Sequence, residues 1–249
     1  MTWVETSSPS FVARHADRDN ADVVGVLELL EGMREQLSRT LPPPDEGLAI
    51  VVHSSATQLA FAQPAAALLR RMTAPAARRY VAGWFTAREI HVLAPRLLHA
   101  RASNVPGSRE LLELAPAALL AQLAAGLANP VLPPPYRLAS LRSHARWAWL
   151  GAGAGQWLSG QTAFARPAIA RRLREGDEPA FPPGLRDAQL LGGSVLDLLA
   201  REEGERAVTR LLTERPDDPR RFLERAFRGR ALVHTEGAWR AHLARLAGG

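Results

Sequence analysis

The sequence predicts an α+β fold, with a small mixed β-sheet and helices in the N-terminal part and a helical C-terminal half. Three observations carry that prediction. Strand-length apolar or alternating runs occur at Ser10 to His15, Leu48 to Val52, Val81 to Phe85 and Glu89 to Leu93, all within the first hundred residues. From about residue 109 the apolar residues instead recur at helical spacing. Strands followed by helices, rather than alternating with them, separate an α+β chain from a doubly wound βαβ series. Finally, 249 residues without an internal repeat suit one domain over 1–249, strand-rich over 1–108 and helical over 109–249.

The first strand, Ser10 to His15, reads as short and half-buried. Ala21 to Leu41 follows as an amphipathic helix, because Val23, Val26, Leu27, Leu30, Met33 and Leu37 share one face. The run Pro42-Pro43-Pro44 stops it. Leu48 to Val52, bounded by Gly47 and Ser54-Ser55, fits a buried strand. A short helix is expected from Gln63 to Arg71. Val81 to Phe85 and Glu89 to Leu93 pair around Thr86-Ala87-Arg88, and Pro95 ends the second strand. After a loop around Asn104 to Ser108, a long helix is expected from Arg109 to Asn129, closed by Pro130 and Pro133-Pro134-Pro135. Further helices are expected at Ala139 to Ala148, Gly153 to Gly160, Pro167 to Glu175, Asp187 to Glu203, Gly204 to Glu214, Asp217 to Arg228 and Thr235 to Leu246.

Composition narrows the chemistry. The chain has no cysteine, which excludes disulfides, thiolate metal sites and a Cys nucleophile. Its formal charge is +6, and all 31 basic residues are arginine. Many have acidic neighbours, as in Arg201, Glu202, Glu203, Glu205 and Arg206, which fits a solvated, mixed-charge surface. An arginine-driven anion or nucleic-acid binder is the alternative, but no aromatic-interleaved basic run or reading motif supports it. The N-terminus has neither a basic nor an apolar segment of a leader type. The most apolar stretch, Leu111 to Leu132, is alanine-rich and interrupted by Glu113, Pro116, Gln122 and Asn129, so no membrane partner is expected. A cytoplasmic location is the expectation.

The order of local motifs carries more. Phe11-Val12-Ala13-Arg14-His15, the Leu27 to Leu37 helix and Leu48 to His53 are followed by Ala82-Gly83-Trp84 and by Ile90-His91-Val92-Leu93-Ala94-Pro95. An apolar helix, Ala118 to Leu127, precedes Trp149-Leu150-Gly151-Ala152-Gly153 and Gly160. Leu191 to Leu199, Gly204 to Leu212, Phe222 to Phe227 and a late Trp239 complete the series. Over nearly the whole chain, this ordered set resembles the peptidase MA-like (gluzincin) domains found across bacterial proteins.

The resemblance implies a zinc-peptidase frame. Its machinery is a helix bearing His-Glu-x-x-His, whose histidines at i and i+4 share one metal ion while the intervening Glu acts as general base. A Glu from the next helical motif supplies the third protein ligand. In the matching positions this chain has Ala121 and Ala125 for the histidines, Gln122 for the base and Ala152 for the Glu. Alanine has no lone pair for a metal, and a neutral carboxamide does not take a proton near pH 7. The resemblance therefore implies a catalytically inactive member, with no catalytic residue, metal ligand or cofactor. It would survive as a binding or structural module, holding a protein or peptide ligand in a cleft between the two helices, with His144, Trp149, Gly153 and Trp157 as its candidate lining.

Other constellations are weaker. His53 and His91, with Glu89 or Glu110, form the alternative hydrolase or metal site, against a plain reading of His91 as a satisfied histidine on a strand edge. His15, His234 and His242 read as surface residues. Gly151, Gly153 and Gly155 follow no strand and lack the downstream residues of a phosphate loop, so they read as close-packing positions beside Trp147, Trp149 and Trp157. The six tryptophans read as core and cleft-wall packing. Ser54, Ser55 and Ser194 have no His and Asp at a triad-like spacing.

Overall fold

Alternation along the early strands builds the sheet. In the computed structural model, which describes residues 2–64, 79–134, 140–215 and 217–248, five strands form one sheet in the order β1-β2-β3-β5-β4. They are β1 (Trp3–Ser7), β2 (Phe11–Ala16), β3 (Leu48–His53), β4 (Gly83–Phe85) and β5 (Glu89–Leu93). The central strands β2, β3 and β5 run parallel, and β1 and β4 close the two edges antiparallel. Register places Phe11 and Ala13 beside Leu48 and Ile50, and Ile50 and Val52 beside Ile90 and Val92. This face is fully buried.

Helix α1 (Asn20–Ser38) lays Val23, Val26, Leu27, Leu30, Met33 and Leu37 on that face, at the spacing expected of a helical stripe. Helix α5 (Ala115–Ala128) covers it beside α1, close enough that Leu119 lies against the Cα of Gly83. The opposite face carries His53, His91 and Trp84 and is covered in part by α2 (Ala56–Ala62), whose Leu59 carbonyl accepts from the Trp84 indole. The parallel strands end on a buried polar knot. Asp19, wholly buried after β2, accepts from Ser54 Oγ at 2.5 Å and Arg96 Nε at 2.9 Å. Burial pushes the Asp19 carboxyl up, but these two donors outweigh it and hold it below the usual carboxylate range.

The helical part continues with α3 (Pro95–Arg101), α4 (Ser108–Glu113), α6 (Leu141–Arg146), α7 (Ala148–Leu158), α8 (Arg166–Arg174), α9 (Leu185–Glu203), α10 (Glu205–Thr213), α11 (Pro219–Ala226) and α12 (Leu232–Gly248). The α+β architecture with a helical C-terminal half is thus as the pattern predicts, and one continuous apolar core joins sheet and helices. Helix α9 is its axis. It packs on α7, α8, α10 and α12, and nearly every residue from Ala188 to Leu199 is buried. Buried polar pairs pin its neighbours. Arg172 of α8 clasps Asp187, the Trp239 indole donates to Ser194 Oγ at 2.8 Å, and His242 meets Asp197 at 2.8 Å.

Several expectations are corrected. Strand β1 and helices α2 and α3 escape the pattern: β1 alternates without a strong apolar run, and Pro95 starts α3 as well as ending β5. Proline fits the first helical turn, where its missing N–H has no partner to lose. The helix expected from Arg109 to Asn129 is two helices, because Pro116 has no N–H for the Leu112 carbonyl and breaks the ladder. Helix α7 begins five residues before Gly153, since its glycines pack rather than break it. His15 and His242 are buried, not surface residues, and His91 lies in a strand flanked on both sides rather than at an edge. His234 is exposed, as expected. The helix expected from Gln63 to Arg71 lies almost entirely outside the described residues.

The glycines of α7 and α9 permit backbone contact. A Cβ on Gly153 would lie 2.7 Å from the Gly192 carbonyl oxygen, and one on Gly192 would lie 2.6 Å from that of Trp149. Gly153→Ala should therefore destabilise the protein by about 1–3 kcal/mol through overpacking. Gly25→Ala, on α1 with open space around it, should stabilise by about 0.5–1 kcal/mol. Urea unfolding of both variants checks this; a neutral Gly153→Ala would contradict the backbone contact.

Candidate functional site

The segment Ala118 to Leu127 falls within α5 and most of the Trp149 to Gly160 segment within α7, and the two stretches expected to flank a cleft pack directly against each other. The contact is made at Gly155, where a Cβ would lie 2.6 Å from the Ala118 carbonyl oxygen and from Gln122 Cγ. Gly151 at the other end of α7 lies near Leu132, beyond the end of α5, so the helices run antiparallel. Ala121, Ala125 and Ala152 are all buried in the common core. None of the three lines the cavity beside this helix pair. Gln122 does.

A cavity of about 90 Å³ opens beside this helix pair. Its apolar wall comes from Leu111, Ala115, Ala118 and Leu119, with Gly83 and Phe85 of β4 along one side. Its polar lining is Tyr80 and four glutamines, Gln122, Gln156, Gln161 and Gln189. The chain has seven glutamines in all, so more than half converge on one small space. No carboxylate, imidazole or guanidinium belongs to the lining among the described residues. The cavity therefore has donors and acceptors but nothing to exchange a proton near neutral pH.

Two of these glutamines are fixed by backbone. Gln161, buried after α7, donates through Nε2 to the Leu111 carbonyl at 2.6 Å. Gln156 inserts its carboxamide into α9: the Gly193 N–H donates to Oε1 at 2.6 Å while Nε2 donates to the Gln189 carbonyl at 2.7 Å. Residues 189 and 193 are the i and i+4 partners of one helical hydrogen bond, so the side chain bridges a rung of the ladder. A Cβ on Gly193 would lie 2.7 Å from Gln156 Cβ, which is why this turn of α9 takes glycine. Gln122 and Gln189 have no side-chain hydrogen bond among the described residues, and their amides remain for a ligand.

The other candidates scatter. Trp149 and Gly153 turn toward α9, and Trp149 packs 6.3 Å from Trp147 in the core. Trp157 packs partly buried against the core, and His144 sits half-buried on α6. None of these four lines the cavity. Sequence reasoning missed Tyr80, Gln156, Gln161 and Gln189. The first lies just ahead of β4 and the others on three separate elements, so no spacing marks them.

The alternative histidine pair is real as a contact. His53 Nε2 and His91 Nδ1 are 3.0 Å apart, His91 Nε2 meets Glu89 Oε2 at 3.2 Å, and Trp84 stacks on His91 at 3.7 Å between ring centres. Glu110 lies exposed on α4 and takes no part. The facing nitrogens are spent on each other, and His53 Nδ1 is buried with no partner among the described residues. No three His, Asp or Glu side chains gather as a metal site among the described residues. The zinc implied by the resemblance finds no donors at Ala121, Ala125 or Ala152, so the residues do not fit it.

No family profile, curated protein or solved structure matches this chain. No helix among the described residues is long and apolar enough to cross a membrane.

Burial, then the neighbouring His91, lowers the His53 pKa to about 4. An unfolded histidine takes up its proton near pH 6.5, so between these values the unfolded chain binds more protons and acid favours unfolding. Stability should fall by about 3 kcal/mol as pH drops from 6.5 to 4, and the contribution of this group should level off about one pH unit lower. Urea unfolding across that range checks it. His53→Gln should flatten part of the slope, beside the contributions of His91 and His144, and an unchanged slope would assign the effect to those groups.

Proposed function

We propose that this chain is a catalytically inactive, gluzincin-like domain that serves as a binding module, with a peptide segment as ligand in the glutamine-lined cavity. The carrying observation is the lining itself: three further carboxamides converge beside Gln122, in the position where the resemblance would place a general base, without an acid or base in the lining among the described residues. A carboxamide offers both a donor and an acceptor, and so does each peptide group, so the two are complementary without any change of charge. The Leu and Ala wall supplies the apolar contact that small-molecule and peptide sites combine with a few polar anchors. A cytoplasmic location belongs to this reading.

Gln122 is the residue to test, because its amide is uncommitted and α5 holds it rigidly against Gly155. A degenerate pool of N-acetylated tetrapeptides should shift the side-chain amide NMR signals of Gln122 and Gln189. Gln122→Leu should weaken retention of the bound peptides by about tenfold, the loss of one or two hydrogen bonds in a desolvated site. Elemental analysis after purification in zinc should give a substoichiometric metal content. One zinc per chain, or peptide cleavage abolished by a chelator, would overturn the inactive reading.

A further inference from the structure

The rim of the cavity differs in charge from its interior. Tyr80 stands at the polar side of the lining, and the guanidinium groups of Arg79, Arg171 and Arg174 lie close enough to act electrostatically on its phenol. Helix geometry agrees. Ala165 and Ala168 contribute to the wall at the start of α8, and Arg171 follows Ala168 by three residues, the next position along that side of the helix. Arg174 lies one further turn on, and Arg79 adjoins Tyr80 in the chain.

Their counter-charges are few. Glu175 pairs with Arg171 at 3.2 Å on a partly exposed surface. Arg174 Nε donates to the Ala170 carbonyl, and neither Arg174 nor Arg79 has a carboxylate partner among the described residues. Arg172, the remaining arginine of this turn, faces the other way and is committed to Asp187. Two guanidinium groups without a carboxylate partner among the described residues and one shared group thus lie beside a neutral, amide-lined cavity.

We infer that this site takes a ligand with a carboxylate next to an amide, the C-terminus of a peptide being the form that the cavity suits, with Arg79, Arg171 and Arg174 receiving the carboxylate and the glutamines the adjoining peptide group. The inference rests on the binding reading above and adds the charged end. Guanidinium groups present planar forks of donors that match a carboxylate, and such charge-assisted bonds are stronger than neutral ones. An uncharged lining of carboxamides then suits the peptide group next to that end, since it satisfies the amide without offering a competing carboxylate.

The test compares matched ligands. Tetrapeptides selected from the N-acetylated pool are prepared with a free C-terminal carboxylate and with a C-terminal amide, and binding to the full chain is measured by titration. The free acid should bind about tenfold more tightly, an advantage that shrinks as salt is raised. In the triple variant Arg79→Gln, Arg171→Gln, Arg174→Gln the advantage should vanish while the amide form binds as before; a thermal melt unchanged from the parent shows that these solvent-facing changes leave the fold intact. Gln122→Leu should weaken both forms. N-acetylated single amino acids form a second arm: binding as tight as the tetrapeptides identifies a small acid as the source of the carboxylate, and weaker binding identifies a peptide end, both in keeping with the inference. Equal binding of acid and amide would overturn it and leave the binding module standing. Loss of binding in the arginine variant with no effect of Gln122→Leu would also overturn it, because the carboxylate would then sit on a plain basic surface. Failure of both forms to bind would remove the binding reading and this inference together.

Discussion

The approach of α7 to its two neighbours is the constraint on which the rest depends. Gly153 sets its backbone against Gly192 of α9, and Gly155 sets it against Ala118 and Gln122 of α5. Helix axes separated by ordinary side chains lie 8–10 Å apart, and glycine removes the side chain that keeps them there. With α7 drawn in on both sides, α5 is pressed onto the sheet and α9 becomes the axis of the C-terminal half. The cost is conformational, since glycine weakens a helix interior by about 1 kcal/mol relative to alanine. The burial of Trp149, Leu150, Val195 and Leu196 around the contact offsets it.

That same approach creates the site. Because α7 and α9 touch at Gly153 and Gly192, the next turn brings Gln156 within reach of the α9 backbone, where it bridges Gly193 and Gln189. Because α7 and α5 touch at Gly155, Gln122 is held at the lip of the cavity and does not collapse into the core. Ala121, Ala125 and Ala152 fill the interior beneath. The packed alanines of the core and the amide-lined cavity beside them are two consequences of one packing arrangement.

The sheet side is organised by a different rule. Asp19, Ser54 and Arg96 join the ends of three parallel strands in one buried, charge-balanced knot. On the second face of the sheet, Glu89, His91 and His53 form a chain under α2. Burial disfavours the charged form of both rings, so this chain links folding to pH.

Local periodicity made much of the fold legible. The stripe from Val23 to Leu37 fits an amphipathic helix, the short runs at Leu48 and Glu89 fit buried strands, and the order of strands before helices gives the α+β class. Periodicity could not show that Pro116 splits one helix into two, nor that β1 completes the sheet, since a proline's effect and an edge strand's pairing depend on neighbours distant in sequence. Ala121, Gln122, Ala125 and Ala152, the positions that the resemblance singles out, could be named from the sequence, and they lie on α5 and α7. Only the tertiary structure decided that Gln122 opens to a cavity while the three alanines are core. It alone brought Gln156, Gln161, Gln189 and Tyr80 to that cavity, because a site assembled from four separate elements by helix packing leaves no spacing in the chain to read.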